Sequence, residues 1–300
     1  MKKYYYQVAE HTFSVEMPDA EQVIDEMGQY SPFAVEETDD VLFKLHVVDK
    51  EHFPSTDQLT VEMNQDDDGS QILAGRCNDK PYFEFQLWGR QAACMVTNND
   101  YTEADVLLVD EPLFGINNAL MVMYALATAN RQTALFHSSV VCFKGHGYMF
   151  LGKSGTGKST HSRLWLQNIN TTELVNDDNP VVRRMSDGFY VFGSPWSGKT
   201  PCYRNVSYPI GAIVQLSQAP YNKIQRLRPL MAYAALVPSI SGKRWEGRVA
   251  EGLHETEDLL ASQVPVWHLE CLPNPEAAWI CCEAVTGEKL RKQQPSNEPD

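Results

Sequence analysis

A run of glycines, a lysine and hydroxyl side chains carries the most specific chemistry in this chain. Gly152, Lys153, Ser154, Gly155, Thr156, Gly157, Lys158 and Ser159 follow the pattern G-x-x-x-x-G-K-[ST], with Thr160 next. Glycine at these positions lets the backbone turn tightly enough for successive N–H groups to converge on phosphate oxygens. A helix starting at the end of the run adds its positive terminus to the same anion. Lys158 is then expected to reach the β- and γ-phosphates, and the Ser159 hydroxyl to hold Mg²⁺, a hard cation that takes oxygen ligands. Residues 152–160 therefore read as a cradle for a nucleoside triphosphate, ATP with Mg²⁺.

Such a cradle needs a carboxylate, either to complete the metal site or to take a proton from an acceptor hydroxyl. Asp177 and Asp178 follow the short run Glu173 to Asn176, where a strand reaching the same sheet edge would deliver them to the phosphates. Neighbouring side chains on an extended chain point to opposite sides, so one acid should face the site while the other supports it. Residue types do not say which, and both are assigned to catalysis and to the metal. His137 follows the strand-like run Thr133 to Phe136, ahead of the loop. A histidine there could orient a base or share its proton, and it could equally be a hydrogen-bonded structural residue.

Two other stretches have suggestive composition. Gly193 to Pro201 reads Gly-Ser-Pro-Trp-Ser-Gly-Lys-Thr-Pro. Pro195 and Gly198 suit a rigid turn, Trp196 offers a flat apolar face, Ser197 a hydroxyl, and Lys199 and Arg204 positive charge. This is either an acceptor-binding loop beside the site or a turn around a buried tryptophan. Lys243, Arg244, Trp245 and Arg248 lie in the glycine-containing stretch Ser241 to Gly252. They read as a basic loop, either mobile over the γ-phosphate or simply solvated.

The elements that would position these residues follow from periodicity. Residues 1–110 show short alternating runs, such as Val41 to Val48 and Tyr82 to Trp88, broken by Asp, Asn and Gly. Leu113 to Asn130 reads as a buried helix. Ser139 to Phe143 and Tyr148 to Leu151 should form a hairpin entering the glycine-rich loop, with a helix over about Lys158 to Gln167 leaving it. Glu173 to Asn176, Pro180 to Met185, Phe189 to Gly193, Ile210 to Leu216 and Val264 to Leu269 read as strands. Pro229 is placed to start a helix, and Pro275 to Ala284 should form the last one. Hairpins within such a core make an α/β fold with a mixed sheet.

Length and charge bound the rest. Three hundred residues suit two cores: an acidic, mostly β N-terminal domain over 1–130 ending in a helix, and a nucleotide-binding domain over 131–290. Residues 291–300 should be a disordered tail. Of the net charge of −14, residues 1–130 contribute −17 and residues 131–300 contribute +3. An acidic surface repels nucleic-acid phosphates, so no nucleic-acid partner is expected. No apolar stretch is long enough to span a bilayer, and MKKYYYQVAEHTF lacks the apolar core of a signal peptide, so no membrane partner is expected either. Seven cysteines without a Cys-x-x-Cys pair read as reduced thiols and a cytoplasmic location.

His137, the glycine-rich loop, and Leu174-Val-Asn-Asp-Asp178 together resemble the bacterial HPr kinase/phosphorylase family, whose core is a P-loop fold of the phosphoenolpyruvate carboxykinase type. The resemblance spans about residues 133–216, with a weaker trace to about 285. It implies that Lys158 and Ser159 hold the nucleotide and metal, that one of Asp177 and Asp178 accepts the proton, and that His137 assists it. Related kinases form rings, so it also implies a homo-oligomer. The Glu-Ile-Arg-Gly-Leu-Gly type of signature that the bifunctional enzymes carry after the paired Asp is replaced here by Gly193 to Pro201, and the N-terminal domain has no counterpart. The expected activity is ATP-dependent transfer of the γ-phosphoryl group to a hydroxyl of a protein or small molecule. The alternatives are a nucleotide-sensing binding protein and a kinase for a free metabolite such as an amino acid.

Overall fold

Alternating apolar and polar residues make strands here because every second side chain can be buried while its neighbours face out. The computed structural model describes residues 1–18, 22–56, 58–67, 69–198 and 200–290. Lys199 and the tail expected over 291–300 lie outside the described residues. The first half contains β1 (Lys2–Val8), β2 (His11–Met17), the short helix α1 (Val23–Glu26), β3 (Lys44–Val47), β4 (Leu59–Asp67) and β5 (Ser70–Cys77). It continues with β6 (Lys80–Leu87), β7 (Arg90–Thr97) and β8 (Glu103–Leu108). These strands form one sheet in the order β1-β2-β3-β8-β7-β6-β5-β4, in which β3 runs parallel to both of its neighbours. Helix α2 (Pro112–Thr128) starts on a proline, whose missing N–H costs nothing there, and buries Ile116, Leu120 and Tyr124.

The second half begins with β9 (Thr133–Leu135), β10 (Ser138–Phe143), β11 (His146–Leu151), α3 (Lys158–Asn168) and β12 (Glu173–Asn176). Next come β13 (Val181–Met185), β14 (Gly188–Phe192), β15 (Ser207–Gln218), β16 (Lys223–Arg226) and α4 (Pro229–Leu236). Helix α5 (Gly247–Gln263), β17 (Val266–Cys271) and α6 (Pro275–Thr286) complete it. The second sheet runs β12-β10-β11-β15-β14-β13-β9, with β17 and β16 added beside β15. Strand β15 is parallel to β11 and β17 but antiparallel to β14, so the sheet is mixed and the fold is α/β with strands predominating.

Alternation along β10 and β11 divides the core. Val140, Met149 and Leu151 join a cluster that includes Phe13 and Phe85 of the first sheet and Tyr124 of α2. Val141, Tyr148 and Phe150 face the other way, onto Trp165 of α3 and Cys281 and Cys282 of α6. Both faces of the hairpin that enters the loop are therefore covered, which holds the loop's base rigid.

The stretch Ser241 to Gly252 is not the open basic loop that its composition suggests. It turns into α5, whose Val249, Leu253, Thr256 and Leu260 are buried at helical spacing. Lys243 is only 3% exposed and pairs with Glu62 of β4 at 2.9 Å and Glu246 at 3.4 Å. Arg244 pairs with the fully buried Glu257, and Arg248 with Asp100. These cations fasten the second half to the acidic first half or to α5. Gly252 is required at the join, because a Cβ there would stand 2.5 Å from the Ala129 carbonyl oxygen.

Two buried histidines make the fold acid-sensitive. Burial pushes His161 down to about 3, where its Nε2 accepts from Trp165 Nε1 at 3.1 Å. His11 is pushed down to about 3 by burial and by the nearby Arg183 and Arg131. Both groups stay neutral in the folded chain while their unfolded counterparts gain a proton below about pH 6.5. Their stability is therefore complete above that value and is lost as pH falls from 6.5 towards 3. Moving from pH 7.5 to 5.5 should cost about 1.4 kcal/mol per histidine. Urea unfolding at the two pH values checks this, and His161→Gln should remove roughly half of the difference.

Candidate functional site

Strand β10 pairs antiparallel with β11 on one side and with β12 on the other. Strands β11 and β12 therefore run the same way and end at the same edge of the sheet. Leu151, the last residue before the loop, lies opposite Ser138. On its other side Ser138 donates its backbone N–H to the Asp178 carbonyl at 2.8 Å. The start of the loop and the second acid thus lie in one row across the sheet, two strand spacings or roughly 10 Å apart.

From Leu151 the chain turns through 152–157 into α3. Gly155 (φ +76°) and Gly157 (φ +107°) take left-handed conformations that side chains disfavour. No side chain caps the start of α3, which leaves that end suited to an external anion. Lys158 is 8% exposed, and its Nζ lies 3.0 Å from the Gly152 carbonyl oxygen, curled over the loop. Ser159 and Thr160 place their hydroxyls in the first turn of the same helix.

The two acids separate cleanly. Asp177 is 7% exposed, and its Oδ1 accepts a hydrogen bond from Ser139 Oγ at 2.7 Å. Ser139 Oγ is also 2.5 Å from Ser162 Oγ, one helical turn beyond Lys158. Asp177 is thereby tied to the helix that carries the loop lysine. Asp178 instead meets His137, with Nε2 and Oδ1 3.3 Å apart. Its other oxygen accepts from Asn179 Nδ2 at 2.8 Å. Both members of the His137–Asp178 pair are about a third exposed, so the pair can be reached from outside. The backbone N–H of His137 donates to Ser239 O, which fixes the ring's origin. Asn176, fully buried, closes the turn by accepting from the Asp178 N–H while donating to Ser194 and to the Trp196 carbonyl.

The Gly193–Gly198 stretch packs against this pair. A Cβ on Gly198 would stand 3.1 Å from the Asp178 Cβ, so a larger residue there would press on Asp178. The Trp196 indole is 2% exposed, donates to Tyr30 Oη at 3.0 Å and leans on Tyr124. It joins α2 and the first half to the turn. Ser197 lies beside Asp178 at the rim of a cavity, and its Oγ donates to the Thr200 carbonyl. Arg204 points elsewhere, to the Leu174 carbonyl and Glu173 of β12. Trp196→Ala should cost about 3–5 kcal/mol, because a large ring leaves a well-packed site that cannot collapse around the gap. Equilibrium denaturation measures that cost.

Among the described residues no group of three or more His, Cys, Asp and Glu is placed to hold a metal ion, so a Mg²⁺ here would share its ligands with a nucleotide. Mg²⁺ in such sites takes one or two carboxylates together with substrate phosphates, so no preformed protein cage is needed. Ser159, Asp177 and Asp178 supply hard oxygens only. The Ser138 hydroxyl, in the row between loop and acid, is buried without a hydrogen-bond partner.

The composition did not point to Ser138, Ser139, Ser162, Asn176 or Asn179. Short polar side chains at a strand end or inside a helix look like ordinary solvated residues until the sheet register brings them together.

A cavity of 550 Å³ opens beside Asp178 and His137. No family model and no curated protein matches this chain. Among solved structures, the Hpr(Ser) kinase/phosphatase from Coxiella burnetii is similar at a TM-score of 0.32 and 11% identity, over 51% of this chain and 93% of that one. A likeness at that level decides nothing about chemistry, which has to come from the residues themselves. Among the described residues, no helix is long and apolar enough to cross a membrane.

Proposed function

We propose that this protein is an ATP-dependent phosphotransferase of the P-loop type that moves the γ-phosphoryl group to a hydroxyl acceptor. The observation that carries this reading is the cross-sheet row of Leu151, Ser138 and Asp178, which brings an accessible carboxylate to the same sheet edge as the start of the glycine-rich lysine loop.

Phosphoryl transfer needs mainly positioning and charge neutralisation. The loop amides and the start of α3 hold the phosphates, and Lys158 turns from the Gly152 carbonyl to the β- and γ-oxygens. Ser159 and Asp177 would hold Mg²⁺, Asp177 being kept in place by Ser139. Bound there, it would supply charge neutralisation for the phosphates. Asp178 takes the proton from the acceptor hydroxyl as the acceptor oxygen bonds to the γ-phosphorus and the bond to the β-phosphate oxygen breaks. His137 steadies Asp178 and can share the proton it gains. ADP and the phosphorylated acceptor are the products.

Calorimetric titration with ATP, with and without Mg²⁺, tests the binding half, and transfer from γ-labelled ATP tests the chemistry. Tight Mg²⁺-dependent binding with label transfer is the expected outcome. Binding with neither transfer nor hydrolysis would leave a nucleotide sensor in its place.

A further inference from the structure

We infer that the 550 Å³ cavity between the first sheet, α2 and the 238–245 segment is the acceptor site, and that the acceptor is a small uncharged amphipathic alcohol. This rests on the phosphotransferase reading of the loop. The lining includes His137, Asp178 and Asn179, and it does not include the loop residues. Asp178 thus stands between two spaces, with the row to the loop on one side and this chamber on the other. An acceptor hydroxyl in the chamber reaches the base without crossing the nucleotide site.

The rest of the lining says what the acceptor carries. Ile72 and Phe83 come from the first sheet, Phe114, Met121 and Val122 from α2, and Ile240 from the segment before α5. These side chains bury hydrocarbon, while Gln65, Asn117, Asn118 and Asn179 in the same wall offer amides to the polar groups of an amphipathic acceptor. Among the described residues, the lysine in the wall is Lys243, which is already matched by Glu62 and Glu246. It has no spare charge for an acidic acceptor, which makes a free amino acid's carboxylate unwelcome. The volume lies within the range that holds a small molecule. A folded protein would have to part the walls, which are fastened where Lys243 and the Trp245 indole both meet Glu62. The first half of the chain therefore acts as the acceptor-binding half of the enzyme.

The test uses the full chain, Mg²⁺ and γ-labelled ATP with the straight-chain alcohols from butanol to octanol, and serine, glycerol and casein as comparison acceptors. Transfer efficiency should rise about fourfold per methylene until the chamber is full, because each buried methylene contributes a constant increment. Ala125, in the wall on α2, provides a second reading. Ala125→Leu should move the best chain length down by about three carbons, the number the substitution adds to the wall. A general loss of stability would lower all rates without shifting that optimum. A flat series, or label on casein or serine in preference to octanol, overturns the inference while leaving the phosphotransferase reading intact. Absence of ATP binding and hydrolysis in the unaltered protein overturns both.

Discussion

Lys158→Ala is expected to abolish ATP-dependent transfer and ATP hydrolysis, a loss of at least about 10³-fold. Removing one fixed donor from a developing oxyanion already costs about 10²–10³-fold, and here a full charge is lost from a largely buried site. The substitution also strips the Gly152 carbonyl of the donor at 3.0 Å, so a small loss of stability should accompany it. Rates from γ-labelled ATP and affinity by calorimetry separate the two effects. Activity at the unaltered level in a folded Lys158→Ala chain would remove the basis for every step proposed above.

The paired acids should respond differently to the same change. Asp178→Asn keeps the hydrogen-bonding shape but removes the proton acceptor, so kcat should fall by about 10²–10⁴-fold with little change in ATP affinity. Asp177→Asn removes the charge that Ser139 holds behind the loop helix. Its main effect should be a higher Mg²⁺ requirement, with kcat partly restored at saturating metal. Equal effects of both substitutions on the metal requirement would contradict the division of labour between them. Removal of Mg²⁺ with a chelator should mimic the Asp177 defect in the unaltered protein and add nothing to a fully inactive Lys158→Ala chain.

Several elements could be read directly because their signals are local. The hairpin β10–β11 announces itself through two apolar runs around Lys144-Gly-His-Gly147, and the helix after the loop through Leu164 and Trp165. Prolines mark the starts of α2, α4 and α6. Helix α5 was hidden, since Gly247, Gly252 and a charged Glu257 interrupt its apolar stripe. Glu257 is buried with Arg244 reaching it from outside the helix and His254 from within it, and its place in the sequence does not announce the first of these partners. Trp196 was ambiguous for a similar reason. Whether an indole binds a ligand or fills a core depends on Tyr30 and Tyr124, which lie more than 70 residues away.

By itself the sequence determined the tight turn from β11 into α3, because left-handed glycines followed by a helix start at short fixed spacings need only the local backbone. It also determined that two adjacent acids would diverge, since extended chain alternates its side chains. Which acid faces which way was decided by tertiary structure, through Ser139 on β10 claiming Asp177 and His137 claiming Asp178. The chamber beside Asp178 was likewise invisible until strands from the first half, α2 and the approach to α5 met around it. A surface assembled from such distant segments has no signature along the chain, because each residue reports only its own preference and not the neighbour it will find.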